Sequence, residues 1–277
     1  VTATFTPLEP FGVEITGVSG PQLVDRRAAD ECQAALDEHG VVVFREVDIS
    51  DADLVAFSRL LGQVVASRTS EHHLPEIATI TLDPAKTNAV LASYRQGNFL
   101  WHIDGATDAL PQKATLLAAR EVDEAGGDTE FANTYLAYQS LPDAEQARLA
   151  GLRVEHSFAA AQARSNPDAS EQERAAWAEI PARLHPLIWT RRNGRRSLLL
   201  GATAGEVLAM PPEEGQALLE QLLAWATGPK FTLRHHWRRG DLVIWDNTGM
   251  LHRALPFSST SRRLMHRTTL TGEEQVA

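Results

Sequence analysis

Apolar positions along this chain fall mostly into short runs rather than long helical stripes. Runs rich in β-branched and aromatic residues predict strands at residues 13–18, 41–44, 77–82, 99–103, 114–118, 129–132, 152–156, 187–190, 197–200, 231–237, 242–245 and 264–270. Gly, Asn or Asp stands at many of their boundaries, and so many short strands suit antiparallel sheets closing into a sandwich or barrel. Helical spacing interrupts them in three places. Residues 25–38 end before Gly40, a C-cap signal, and Ser50 opens a Ser-x-x-Asp start ahead of Leu54, Phe57, Leu60 and Leu61. Pro211-Pro212 lead into a helix reaching Ala226, with Leu218, Leu219, Leu222, Leu223 and Trp225 largely on one side. The polar stretch 166–182 is predicted helical in part and suits a lid or loop. No repeat, heptad or Gly/Ser linker divides the chain. The pattern predicts one domain over residues 1–277, mainly β with flanking helices.

Composition supports a folded globular protein: 43% of the 277 residues are hydrophobic and 22% charged, with 18 Gly and 14 Pro. The lone Cys32 permits no intrachain disulfide, which fits a reducing cytoplasm. No basic-then-apolar leader opens the sequence, and no apolar run approaches the ~18 residues needed to span a bilayer, so cytoplasmic placement without membrane insertion is expected. The net charge of -10 argues against nucleic-acid and anionic-membrane partners. That charge is uneven. Residues 1–184 hold 14 Lys/Arg against 28 Asp/Glu, or -14, whereas residues 185–277 hold 12 against 8, or +4. A basic segment within an acidic chain points to a small anionic ligand.

Two histidines stand in chemically suggestive contexts. In Leu100-Trp101-His102-Ile103-Asp104, a strand conformation would direct His102 and Asp104 to one face. His252 follows the buried strand ending Trp245-Asp246-Asn247 and a turn that can return it to the same pocket. Two imidazoles and one carboxylate, with open positions, are the arrangement favoured by non-haem Fe(II) oxygenases. An isolated His-x-Asp pair also occurs by chance. Arg263 and Arg267, four apart on a predicted strand, have the fork geometry for carboxylates, although arginines so placed equally suit salt bridges. Thr129, after Gly126-Gly127-Asp128, is placed to offer a hydroxyl to the same anion.

Together these pieces resemble the TauD/TfdA family of Fe(II)- and 2-oxoglutarate-dependent dioxygenases. The resemblance runs from residues 13–18 through Val41-Val42-Val43-Phe44-Arg45 to the Arg-rich final strand. It is most specific at Trp101-His102-Ile103-Asp104, Gly126-Gly127-Asp128-Thr129, Trp245-Asp246-Asn247 with His252, and Arg263-Leu264-Met265-His266-Arg267. It implies a double-stranded β-helix, or jelly roll of cupin-like form. His102, Asp104 and His252 would then ligate Fe(II), and Thr129 and Arg263 would hold the distal carboxylate of 2-oxoglutarate. Asn98, Phe158 and Arg267 would contact a small anionic substrate, hydroxylated with O2 as cosubstrate and with succinate and CO2 as co-products. A homo-oligomer, dimer or tetramer, is implied as well. Residues 63–70 lack the His and Tyr of taurine-binding members, and residues 198–204 lack their pocket Phe, so a sulfonate other than taurine, a carboxylate or an aryloxyalkanoate is expected.

Two other functions use the same residues: a zinc hydrolase activating water on His-Asp-His, and a non-catalytic β-barrel binding module. Several further motifs have ordinary explanations. His72-His73 beside Glu71 suits an exposed loop better than a second metal site. Residues 234–239, Arg-His-His-Trp-Arg-Arg, suit a solvated strand and turn, and Asn193-Gly194 suits a type I′ hairpin. His266 should face away from its neighbouring arginines.

Overall fold

The computed structural model describes residues 3–66, 72–83, 85–87, 95–123, 126–258 and 260–276. A seven-stranded sheet runs in the order β1 (Thr4–Pro7), β2 (Val13–Thr16), β3 (Val41–Phe44), β13 (Leu242–Asp246), β5 (Ala114–Glu121), β15 (Leu264–Thr269) and β4 (Ala78–Ile80). A three-stranded sheet, β12 (Thr232–His235), β6 (Thr129–Asn133) and β14 (Met250–Ala254), packs against it. Beside these lie the sheet β11 (Ala204–Val207), β7 (Arg153–His156) and β8 (Arg183–Pro186), and the hairpin β9 (Ile188–Thr190) with β10 (Arg196–Leu198). The result is a mixed α/β architecture with several sheets.

Alternation along the strands explains how the layers hold. Val42 and Phe44 of β3, with Leu116, Ala118, Leu242 and Ile244, face the helices Arg26–His39 and Asp51–Leu61. Val41 and Val43, with Leu117, Val243 and Trp245, face Phe131 and Leu233 of the smaller sheet. β3 therefore has apolar neighbours on both faces, which is why Val-Val-Val-Phe shows no polar alternation. Asp25 caps the first helix by accepting from the Arg27 and Ala28 backbone N–H groups, and Gly40 closes it at φ 74°. Ser50 caps the second. The helix Pro212–Ala226 buries Leu218, Leu219 and Leu222 against a third apolar cluster. No helix among the described residues is long and apolar enough to cross a membrane.

Several expectations need correction. Residues 99–103 are not a strand: a 3₁₀ turn occupies Arg95–Phe99, and His102 makes a single bridge to His252. The chain turns at once, with Gly105 at φ 76°, so no ladder develops. At Asn193-Gly194 only Gly194 has a left-handed φ, 82°, and the Arg191 and Arg195 backbones pair around it, a type I turn with a Gly bulge rather than type I′. Within residues 234–239, His235 and Trp237 are buried rather than solvated. The stretch 166–182, by contrast, is helical in part as its pattern predicts, with the capped helix Glu171–Ala178. Of residues 63–70, the last four lie outside the described residues.

Candidate metal centre and its cavity

His102 and His252 are brought together by backbone pairing rather than by a shared strand. The His102 N–H donates to the His252 carbonyl at 3.0 Å and the reverse bond is 2.9 Å, which sets the two ring centroids 4.1 Å apart. Asp104 lies two residues on, at the start of the turn. Its Oδ1 is 3.9 Å from His102 Nε2 and its Oδ2 3.7 Å from His252 Nε2. These separations are too long for hydrogen bonds, and one ligand atom from each of the three residues lies within 4.8 Å of the others, a spacing suited to a shared ion.

Hydrogen bonding also sets the protonation states. His102 Nδ1 lies 2.8 Å from the Leu100 carbonyl, which can only accept, so the proton is assigned to Nδ1 and the Nε2 lone pair points toward Asp104. Burial pushes the His252 imidazole down to about 3, and the neighbouring His102 adds to the effect. Burial alone would raise the Asp104 carboxyl, but Arg267, His252, His102 and a hydrogen bond from Thr115 together hold it below the usual carboxylate range. Neutral imidazole and ionised carboxylate are the forms that bind a metal ion.

A cavity of about 370 Å³ opens in front of this group. Asn98, His102, Asp104, Phe158 and Arg267 all line it. Arg267 Nη1 is 3.6 Å from Asp104 Oδ2, and its buried Nε has no hydrogen-bond partner among the described residues. His252 lies behind the opening, between His102 and Trp245.

Arg263 occupies an adjoining position. Arg263 is 4% exposed and lines a smaller recess with Asn98, Phe99 and Phe257, its guanidinium 5.2 Å from the Phe257 ring centroid. Burial pushes this guanidinium down to about 10, against the pull of Asp123 and Asp128. Arg263 precedes β15, and a register shift between Leu264 and Met265 separates it from Arg267, so strand parity alone does not align the two. Gly127 explains how Arg263 fits: a Cβ there would stand 3.0 Å from its Cδ and 3.1 Å from its Nε, and φ is 74°. Thr129 is buried and its Oγ accepts from the Trp237 indole at 2.9 Å. Indole only donates, so the Thr129 O–H is the proton left to give.

The cavity also contains residues that sequence patterns did not single out, among them Ile80, Ile103, Gln162 and Thr203. Gln162 belongs to the helix Phe158–Ser165, whose start at Ser157 carried a recognisable cap; the others gave no local signal.

A second cluster of the same composition occurs elsewhere: the expected loop is present and exposes His73, but His72 is largely buried. Asp51 Oδ1 is 2.7 Å from His266 Nδ1 and its Oδ2 is 3.1 Å from His72 Nε2. His266 does face away from the cavity, as expected. Here, however, the Leu74 backbone N–H donates to His72 Nδ1, which assigns the imidazole proton to Nε2, where it is shared with Asp51. Arg120 adds a further cation at 2.5 Å. The cluster is wired as a salt-bridge network.

The model for "Taurine catabolism dioxygenase TauD, TfdA family" matches residues 4–269. The chain belongs to the TauD, TfdA family. A TauD, TfdA relative, the alpha-ketoglutarate-dependent 2,4-dichlorophenoxyacetate dioxygenase of Burkholderia sp. (strain RASC), is 36% identical over 86% of this chain and 83% of its own. The alpha-ketoglutarate-dependent sulfate ester dioxygenase of Pseudomonas putida is 30% identical over 96% and 88% respectively. The crystal structure of AAD-2 in complex with Mn(II) and N-oxalylglycine superposes with a TM-score of 0.85 at 29% identity, covering 100% of both chains. As a member of the TauD, TfdA family this protein is an alpha-ketoglutarate (2-oxoglutarate)-dependent dioxygenase, and the hydrolase and binding-module alternatives fall away.

Proposed function

We propose that this dioxygenase uses Fe(II) held by His102, Asp104 and His252 to hydroxylate aryloxyalkanoates. The observation that carries the metal assignment is the donor set itself: two imidazoles and one carboxylate, spaced for a shared ion, beside a cavity. Iron so bound supplies O2 activation coupled to oxidation of 2-oxoglutarate to succinate and CO2.

The chain's own residues do the rest. Arg263, given room by Gly127, receives the distal carboxylate of 2-oxoglutarate, and the Thr129 hydroxyl donates to the same group. Arg267 takes the acid group of the substrate; its unpaired Nε and its position on the cavity wall support this. Phe158, Ile80, Ile103 and Ala161 offer an apolar wall to an aryl ring, with Asn98 beside it. Holding the substrate at its acid end places the adjacent carbon toward the metal. Hydroxylation next to an ether oxygen gives a hemiacetal, which collapses to an alcohol and a carbonyl compound. The 2,4-dichlorophenoxyacetate dioxygenase relatives favour this substrate class, and the sulfate ester dioxygenase relative makes alkyl sulfate esters the second one.

In architecture we read the seven-stranded sheet and the β12-β6-β14 sheet as the walls of a double-stranded β-helix. The site draws on residues from Asn98 to Arg267, so the chain works as one unit. The buried, unpaired Cys32 accords with a cytoplasmic setting.

A panel of aryloxyalkanoates, alkyl sulfates, sulfonates and amino acids, scored by substrate-dependent succinate formation, tests the assignment. Aryloxyalkanoates should give the highest kcat/KM. Turnover confined to amino acids would overturn it.

A further inference from the structure

Behind the carboxylate of Asp104 stand three buried polar residues that no substrate or cosubstrate can reach. The Trp245 indole Nε1 donates to Asn247 Oδ1 at 2.9 Å, Asn247 Nδ2 donates to Thr115 Oγ at 2.8 Å, and Thr115 Oγ donates to Asp104 Oδ2 at 2.9 Å. Thr115 and Asn247 are 0% exposed and Trp245 is 2% exposed. The direction of every bond is dictated by chemistry. Indole has only a hydrogen to give and an ionised carboxylate has only lone pairs to receive with, so the amide of Asn247 and the hydroxyl of Thr115 each have one permitted orientation.

We propose that Trp245, Asn247 and Thr115 form a one-way hydrogen-bond chain that engages one oxygen of Asp104 and leaves the other to the metal, so that the carboxylate ligates through a single atom. The proposal rests on the reading of Asp104 as a metal-holding residue. Thr115, Asn247 and Trp245 are positioning residues: they act through Asp104. Trp245 acts on a second ligand as well, since its ring lies 4.7 Å from that of His252. A carboxylate released from this chain can rotate and offer both oxygens, which would occupy a position that the cosubstrates need.

The backbone frame makes the chain rigid. Thr115 sits opposite Trp245 in the β5–β13 ladder and opposite Thr269 in the β5–β15 ladder, and the Asn247 N–H bonds to the Lys113 carbonyl. Neither residue can shift without moving the central strands.

Titration of the metal-free protein with Mn(II), followed calorimetrically without 2-oxoglutarate, provides a readout independent of turnover, and the visible spectrum of the Co(II)-loaded protein reports coordination number. Thr115→Val keeps the shape and removes the donor. It should weaken Mn(II) binding by about 10- to 100-fold and change the Co(II) spectrum, whereas Thr115→Ser should restore both. Asn247→Asp gives the Thr115 hydroxyl a competing carboxylate to donate to, so it should reproduce the spectral change, and combining it with Thr115→Val should add little. Parent-like affinity and spectrum in Thr115→Val would overturn the chain, as would equal losses in the Val and Ser variants. Asp104→Ala separates the two levels: parent-like Mn(II) binding there overturns the metal assignment itself.

Discussion

Two clusters in this molecule contain the same residues, two histidines and an aspartate, and do opposite things. At His102, Asp104 and His252 the donor atoms stand 3.7 to 3.9 Å apart, and a backbone carbonyl takes the His102 proton on the far side of the ring. At His72, Asp51 and His266 the corresponding distances are 3.1 and 2.7 Å, and a backbone N–H occupies the far side of His72 instead. A carbonyl behind an imidazole turns its other nitrogen into a ligand; an N–H behind it turns that nitrogen into a donor. The cations differ as well. Arg267 stands back from Asp104 at 3.6 Å, while Arg120 contacts Asp51 at 2.5 Å and supplies its counter-charge directly. Residue type is thus a poor guide to a metal site until the partners behind the side chains are known.

The largest test of this contrast removes each aspartate in turn. Asp104→Ala should abolish 2-oxoglutarate turnover, by about 10³-fold or more, and eliminate Mn(II) binding, while Asp51→Ala should retain one Mn(II) per chain. Binding of two ions by the parent in calorimetric titration would erase the distinction.

Next come the arginines. Arg263→Ala should raise the KM for 2-oxoglutarate by about 10²-fold, and Arg267→Ala should do the same for the acidic substrate while leaving the cosubstrate KM nearly unchanged. Gly127→Ala should resemble Arg263→Ala more weakly, because its Cβ would displace that side chain. Parallel effects of both arginine variants on both KM values would show that the two cations are not divided as assigned.

A smaller effect comes from pH. Burial would raise the Asp51 carboxyl, but His266 and Arg120 overcome this and hold it below its ordinary value of 3.8. The folded state therefore binds fewer protons at Asp51 than the unfolded state, so its contribution is complete above the ordinary value and disappears as pH falls through the lowered one. Asp51→Asn should cost about 1–2 kcal/mol in urea denaturation at neutral pH, with the difference from the parent shrinking below pH 4. A difference that is constant with pH would contradict the network. Smallest of all, His72→Gln should cost about 1 kcal/mol or less and leave kcat/KM unaltered.

Much of the scaffold was legible from local pattern. Val41–Phe44 and Pro212–Ala226 have the predicted bounds, since a buried β-branched run and a Pro-led leucine stripe are local signals. The strand predicted over residues 99–103 was not: Trp-His-Ile has strand-like composition, but its backbone partners are a single residue of β14, 150 positions away, and this pairing is invisible locally. Of the residues predicted for the site, His102, Asp104, Arg267, Asn98 and Phe158 line one cavity, and His252 stands behind them against His102. Arg263 lines the adjoining recess, out of strand parity with Arg267 because the shift at Leu264 alters the register, and Thr129 is buried against Trp237. Thr115 escaped notice for a different reason. In the run Ala-Thr-Leu-Leu a threonine reads as strand propensity, and only the fold brings its hydroxyl to Asp104.

The lone bridge between His102 and His252 also bears on how such an enzyme diversifies. Beyond it and beyond Asp104, the chain from Gly105 to Asp108 and Gln112 lines the cavity without belonging to any ladder. Insertions or exchanges in that stretch carry no penalty of strand slippage, so new chemical tastes can be sampled there while the oxidising centre stays pinned at one rivet of two hydrogen bonds.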